Sequence, residues 1–387
     1  MENQRPRLTA AKFVREVRRL GRSASQLVQP VLRYVPRWGA TPQSTVDLDL
    51  VRAHYQRSPL AAEPETFCLL RIIGNDLVPR HRKGQSRDNV AFILEHEPTF
   101  QDCTKSWVLN RIYDAEEEAA IIALLEDRGQ AYHRIPFDLA AYARQPWDVE
   151  GLPEAAHQFL TTTDEISARE RLRLATVIRR SKSNYAINNN GARNIALALG
   201  RTVAKWVQPW DGNCFLTRPA WESLRDSVAK RPYLPYFVAP MVRLTDNADA
   251  LQEGYDPETR QEPQIIFRRD AQEMFDERYP YGQRPKIELL WRLGVPGVWD
   301  NVEVKEHELP RPPLCSEAGQ VGSAGWVARL NSGNPTLEVG HKSGSRRGAA
   351  RDEAIVAFLD MLDRASIEAG LMRHENLTPA DARASGG

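Results

Sequence analysis

The chain has no stretch approaching the ~18 consecutive apolar residues that a membrane-spanning helix needs. Arg5, Arg7 and Lys12 precede no continuous apolar run, which argues against a secretory signal. Cysteine is scarce. Cys68, Cys103, Cys214 and Cys315 lie far apart, and none falls in a C-x-x-C pair. That argues against a disulfide framework and a structural zinc site, and makes a reducing cytoplasm the expected location. The sequence lacks a Gly-x-x-x-x-Gly-Lys-Ser/Thr loop, so P-loop chemistry is disfavoured. It also lacks net charge: at +1, the chain as a whole does not attract polyanions, and no nucleic-acid partner is expected. No internal repeat is present.

What charge there is lies unevenly. Residues 1–37 carry nine Arg or Lys against Glu2 and Glu16. Phe13, Val17, Leu20, Ala24, Leu27 and Val28 recur at helical spacing, and Pro30 ends the pattern. Residues 1–35 therefore read as a basic amphipathic helix, suited to an anionic membrane surface or to docking on its own domain. Residues 36–65, with several prolines, read as a linker.

A globular domain is expected over 66–310. Phe67 to Ile73 reads as a buried strand ending at Gly74, Asn75 and Asp76. A helical pattern over 85–97 follows, then a strand from Trp107 to about Asn110. An acidic-started helix over 115–128 and a strand at 132–137 come next. Alternation of this kind predicts an α/β fold with a mainly parallel sheet covered by helices. Ligands of such sheets bind at the carboxyl ends of strands, which brings in Gly74, Asn75, Asp76, Asn110 and Asp114. Further strands are expected at 204–209, 235–244 and 264–267, with helices over 165–179, 188–200, 217 onward and 285–294. Residues 311–374 should complete the domain, with Pro-, Gly- and Ser-rich loops over 310–348 and a helix over 349–370. Residues 375–387 read as a disordered tail.

The chemistry concentrates in two segments. In 205–215 an apolar run leads into Asp211-Gly212-Asn213. Two oxygen donors one residue apart, around a glycine that lets the backbone turn, suit Mn²⁺ or Mg²⁺ held against a diphosphate. The same tripeptide is also an ordinary turn. In 188–194 three asparagines, Gly191, Arg193 and Asn194 open a helix. Its amides and Arg193 suit phosphate or sugar hydroxyls. Alternatively, the asparagines cap the helix and Arg193 pairs with a core carboxylate.

Asn188-Asn-Asn-Gly-Ala-Arg-Asn194 followed by Lys205-Trp-Val-Gln-Pro-Trp-Asp-Gly-Asn213 resembles the pattern of GT-A fold glycosyltransferases. It is most similar to the inverting group that includes many bacterial polysaccharide transferases. The resemblance covers about 67–295 and implies a GT-A-like, Rossmann-like domain. It matches Asp211 to an aspartate that contacts metal or sugar, and Arg193 and Asn194 to an Arg-Asn pair, with Asn190 beside them. Asn213 stands where the family has a second aspartate. The implied donor is a nucleotide diphosphate sugar, with a saccharide or lipid-linked acceptor; the basic N-terminal helix would suit work at the cytoplasmic face of a membrane. The family's general base is acidic and C-terminal to this segment, so Glu262, Asp256 and Asp270 are candidates. His307 could complete a metal shell. Arg284, Lys286, Arg329, Arg346 and Arg347 are candidate phosphate-binding cations. A catalytically inactive saccharide- or protein-binding module and a nucleotidyltransferase are the competing readings.

Overall fold

The computed structural model describes residues 46–373, apart from 149–166, 256, 259–260, 303, 305–307, 332, 335–336 and 338–342. The basic N-terminal segment, the C-terminal tail, Asp256 and His307 lie outside the described residues. Among the described residues, no helix is long and apolar enough to cross a membrane.

The strands are β1 (Phe67–Ile73), β2 (Cys103–Asn110), β3 (Ala131–Ile135), β4 (Trp206–Asp211), β5 (Cys214–Phe215), β6 (Tyr236–Arg243), β7 (Gln261–Arg268), β8 (Val321–Ser323) and β9 (Val327–Arg329). They form one sheet in the order β3-β2-β1-β4-β7-β6-β9-β5, with β8 paired to β6. β1 runs parallel to β2 and β4, and β2 parallel to β3, as expected from the alternating pattern. β7 then runs antiparallel to both β4 and β6, and β5 antiparallel to β9. The fold is α/β, and the sheet is mostly parallel, as expected, but it is mixed because of β7 and β5. For β7 the reason is the β6–β7 connection. A parallel return usually crosses over by a helix, and this one holds only the 3-10 turn Asn247–Leu251 among its described residues.

Two prolines sit where the ladder can spare an N–H. Pro240 lies at a register shift between β6 and β7. Pro209 in β4 lies past Trp206 and Val207, the two residues that pair with β7.

Helices cover both faces. Helix Asn189–Arg201 lays Ala192, Ala196 and Leu197 against Cys68, Leu70 and Val207. On the other face, helix Arg218–Lys230 packs Trp221, Leu224 and Val228 against Phe67, Leu69 and Trp206. Burying an aliphatic side chain of this kind contributes ~1.5–3 kcal/mol, so each helix is held chiefly by its apolar stripe. Thr217 caps the second helix: its side chain accepts a hydrogen bond from the Ala220 N–H.

Two regions differ from their sequence reading. The segment read as a linker carries a helix, Leu48–Arg57, capped by Asp47. It buries Tyr55, whose ring lies under the cationic groups of Arg268 and Lys205. The loops expected over 310–348 contain β8 and β9, and β9 is inserted between β6 and β5 in the sheet. Strands of three residues are too short to show periodicity. The closing helix, Ser343–Glu368, packs on helices Ala168–Ile178, Leu139–Ala143 and Arg180–Ala186.

Candidate functional site

A cavity of about 650 Å³ opens along one edge of the sheet. It lies at the carboxyl ends of the parallel strands, at Gly74–Asp76 after β1, Asp211 ending β4, Arg243 ending β6 and Arg329 ending β9. Because β7 is antiparallel, its beginning falls at this same edge and adds Glu262. Among the described residues, the cavity is lined by nine Arg or Lys side chains against five Asp or Glu, an excess of four positive charges. A chain close to neutral thus concentrates cationic charge in one concave place, and this attracts anions.

Asp211 sits at the centre of that charge. Its Oδ1 accepts from Arg193 Nη2 at 2.7 Å, and its Oδ2 accepts from Gln264 Nε2 at 3.0 Å. Lys286 Nζ lies 3.6 Å from Oδ2 and 3.2 Å from Glu262 Oε1. Burial alone would raise the Asp211 carboxyl, but Lys286, Arg193 and Arg329 hold it well below the ordinary carboxylate range. Gly212 is required for packing: a Cβ there would lie 2.5 Å from the Ile72 carbonyl oxygen.

The asparagine-rich segment builds this cluster rather than presenting bare amides to a ligand. Asn188 caps the helix by accepting from the Gly191 N–H at 2.8 Å. A Cβ on Gly191 would meet that side chain at 2.4 Å, so the glycine makes room for the cap. Asn190 accepts from Arg193 Nη1 at 2.8 Å and donates to the carbonyls of Asp276 and Pro285. Asn194 exchanges hydrogen bonds with the Phe275 backbone and donates to Glu277. The segment therefore clasps the 275–285 loop, which delivers Lys286, and aims Arg193 at Asp211. Of the alternative reading from sequence, the Arg–carboxylate pair and one cap, Asn188, are present, while Asn190 holds the loop instead of capping.

Other expected site residues divide in the same way. Gly74, Asn75, Asp76, Gly212, Asn213 and Glu262 line the cavity. Asn75 spends its amide bridging the Arg111 carbonyl and the Tyr113 N–H. Asp76 accepts from the Ser86 N–H and Oγ through Oδ1, while its buried Oδ2 has no hydrogen-bond partner among the described residues. Asn110, Asn190, Asn194, Asp114 and Asp270 do not line the cavity. Asn110 donates to the Ile187 carbonyl at 2.6 Å. Asp114 caps the helix Ala115–Asp127. Asp270 pairs with Arg268 at 2.6 Å, and this removes it as a base candidate at the cavity. Of the candidate cations, Arg284, Lys286, Arg329 and Arg347 line the cavity, and Arg346 does not.

Sequence reasoning missed Gln264, Arg173, Arg243, Glu308 and His81. Gln264 and Arg243 lie on predicted strands, where a polar residue at a strand end was the available signal. Glu308 joins Arg173 of one helix to Arg284 across the chain, a pairing no spacing reveals.

His81 Nδ1 accepts from the Leu77 N–H at 3.2 Å. Burial lowers its pKa to about 3, with Arg80, Arg329 and Arg243 acting in the same direction. An unfolded histidine takes up its proton near pH 6.5, so between there and pH 3 the unfolded state binds a proton that the native state refuses. Stability is therefore lost as pH falls through this window. His81→Asn keeps an acceptor without a basic group. The variant should lose about 2 kcal/mol less than wild type between pH 7 and pH 5, measured by urea unfolding. Equal losses would mean that His81 is protonated in the native protein.

The residues expected to hold Mn²⁺ or Mg²⁺ do not fit such an ion. Both Asp211 oxygens accept protein hydrogen bonds, and the surrounding side chains include Arg193, Lys286 and Arg329. Asn213 donates its amide to the Leu330 carbonyl at 3.3 Å. Among the described residues, no group of three His, Cys, Asp or Glu could hold a metal. Hard divalent cations select sets of oxygen donors, and this cluster is dominated by cations. In comparisons with known proteins, no family model and no curated protein matches the chain.

Proposed function

We propose that this protein is a glycosyltransferase that moves a sugar from a nucleotide diphosphate sugar to a saccharide or lipid-linked acceptor. The observation that carries the reading is the cationic cavity at the carboxyl ends of the parallel strands, with Asp211 and Arg193 at its centre. Its size suits a nucleotide-sized ligand. Its charge suits a diphosphate, whose leaving oxygens gain negative charge as the sugar bond breaks. The resemblance of 188–194 and 205–213 to GT-A fold enzymes adds to this support.

In this proposal Arg193, Lys286 and Arg329 face the diphosphate, and Asp211 keeps the first two in place. Glu262 accepts the proton of the acceptor hydroxyl as it displaces the diphosphate. It lines the cavity, its side chain is 37% exposed, and Lys286 Nζ lies 3.2 Å from its Oε1. The nine basic residues of 1–37 support work at an anionic membrane surface.

Calorimetric titration with UDP and GDP, followed by a nucleotide-sugar screen, tests the proposal. At least one nucleotide should bind. Glu262→Gln should lower turnover about 100-fold while leaving nucleotide affinity unchanged, as expected for loss of a general base. Failure of both nucleotides to bind would remove the donor site. The saturation of Asp211 by protein partners favours a second reading, a module that binds nucleotide sugars without turning them over. That reading predicts nucleotide binding with neither transfer nor hydrolysis of any donor.

A further inference from the structure

We infer that the cavity holds a diphosphate with its own cations and needs no divalent ion. The inference rests on the reading of the cavity as a nucleoside-diphosphate site, and it replaces the metal expected there with side chains. The carboxylate that would anchor a metal is already neutralised: Asp211 is ion-paired to Arg193 and lies 3.6 Å from Lys286. A dication placed against it would meet repulsion from both.

The cations, in contrast, have capacity to spare for an anion. Arg193 Nε and Arg329 Nε are buried without hydrogen-bond partners among the described residues, and Arg193 is only 4% exposed. Both side chains line the cavity, where a bound anion would add partners that the protein does not supply. The two arginines arrive from separate elements, Arg193 from helix Asn189–Arg201 and Arg329 from the end of β9. Lys286 comes from the loop clasped by Asn190, and Arg347 and Arg351 from the closing helix. An anion at the centre can therefore be approached from several sides. Guanidinium forks bind phosphate oxygens in pairs, and several of them can stabilise a diphosphate as a bridging metal does.

The test is calorimetric titration of the full chain with inorganic pyrophosphate in excess EDTA, with UDP and GDP titrated in the same buffer. Pyrophosphate should bind wild type without metal. Arg329→Gln, whose Nε has no hydrogen bond to break, should weaken it at least about 10-fold, and so should Lys286→Met. Thermal melts of both variants establish that they are folded. Manganese EPR supplies an independent readout: adding protein to Mn²⁺ and UDP should immobilise no further ion. The inference falls if pyrophosphate fails to bind in EDTA, or if Arg329→Gln binds it as tightly as wild type. It also falls if the protein immobilises Mn²⁺ in a manner lost in Asp211→Asn. If pyrophosphate binds in EDTA while both nucleotides fail, the donor reading falls and metal-free diphosphate binding stands.

Discussion

Asp211→Asn is expected to destabilise the ligand-free protein by about 3 kcal/mol, measured by urea unfolding at neutral pH. The substitution keeps the shape of the side chain and removes its charge. It deprives Arg193 of the carboxylate at 2.7 Å and Lys286 of one of its two acidic neighbours, and both cations are almost fully buried. Removing one partner of a buried ion pair costs about 3–5 kcal/mol, because the remaining charge is left unpaired. The lower figure applies because the Asp211 side chain is 22% exposed and water can partly screen the loss. A carboxylate that waits for a metal behaves in the opposite way, since its removal relieves repulsion in the empty site. Unchanged or increased stability would therefore sink the view of Asp211 as the organiser of the cations. Because its pKa is held low in the folded state, its contribution is present above the unfolded carboxylate range. That contribution is lost only as pH falls towards the depressed native value.

Lys182→Met should cost about 3–5 kcal/mol by the same physics, at a residue that does not line the cavity. Lys182 Nζ donates to Asp363 at 2.8 Å, and their side chains are 0% and 1% exposed. Tyr142 donates its hydroxyl to the same carboxylate at 2.9 Å, and its ring lies beneath the Lys182 ammonium. The pair joins helix Arg180–Ala186 to the closing helix, which carries Arg347 and Arg351 into the cavity. The double variant Lys182→Met, Asp363→Leu should recover most of the loss, because no charge is then stranded in the interior. A single variant within about 1 kcal/mol of wild type would show that the pair is better solvated than its burial implies. Hydrogen exchange in the closing helix should rise in the single variant and return towards wild type in the double one.

Much of the local structure could be read from the sequence. The buried strand from Phe67, the acidic start of the helix at Ala115 and the Thr217 cap are visible because they depend on neighbours in the chain. The positions of Asp211 and Arg193 were visible for the same reason: a strand end and a helix start mark themselves by residue type. The asparagines were also conspicuous, but their task was not. Whether Asn190 faces a ligand or clasps residues 276 and 285 depends on a loop almost a hundred positions away.

Only tertiary structure decided the direction of β7, the place of β9 and the composition of the cavity. An antiparallel strand and a parallel one can share the same apolar pattern, so the pattern does not fix direction. That choice brings Gln264 to Asp211 and Glu262 to Lys286. The sequence determined which elements form and which residue types mark their ends, through local forces of period and capping. The tertiary structure decided that cations from several elements converge on one cavity and that Asp211 is met by Arg193 and Lys286. The physical reason is that charge acts through space, and distance along the chain does not report which charges will meet.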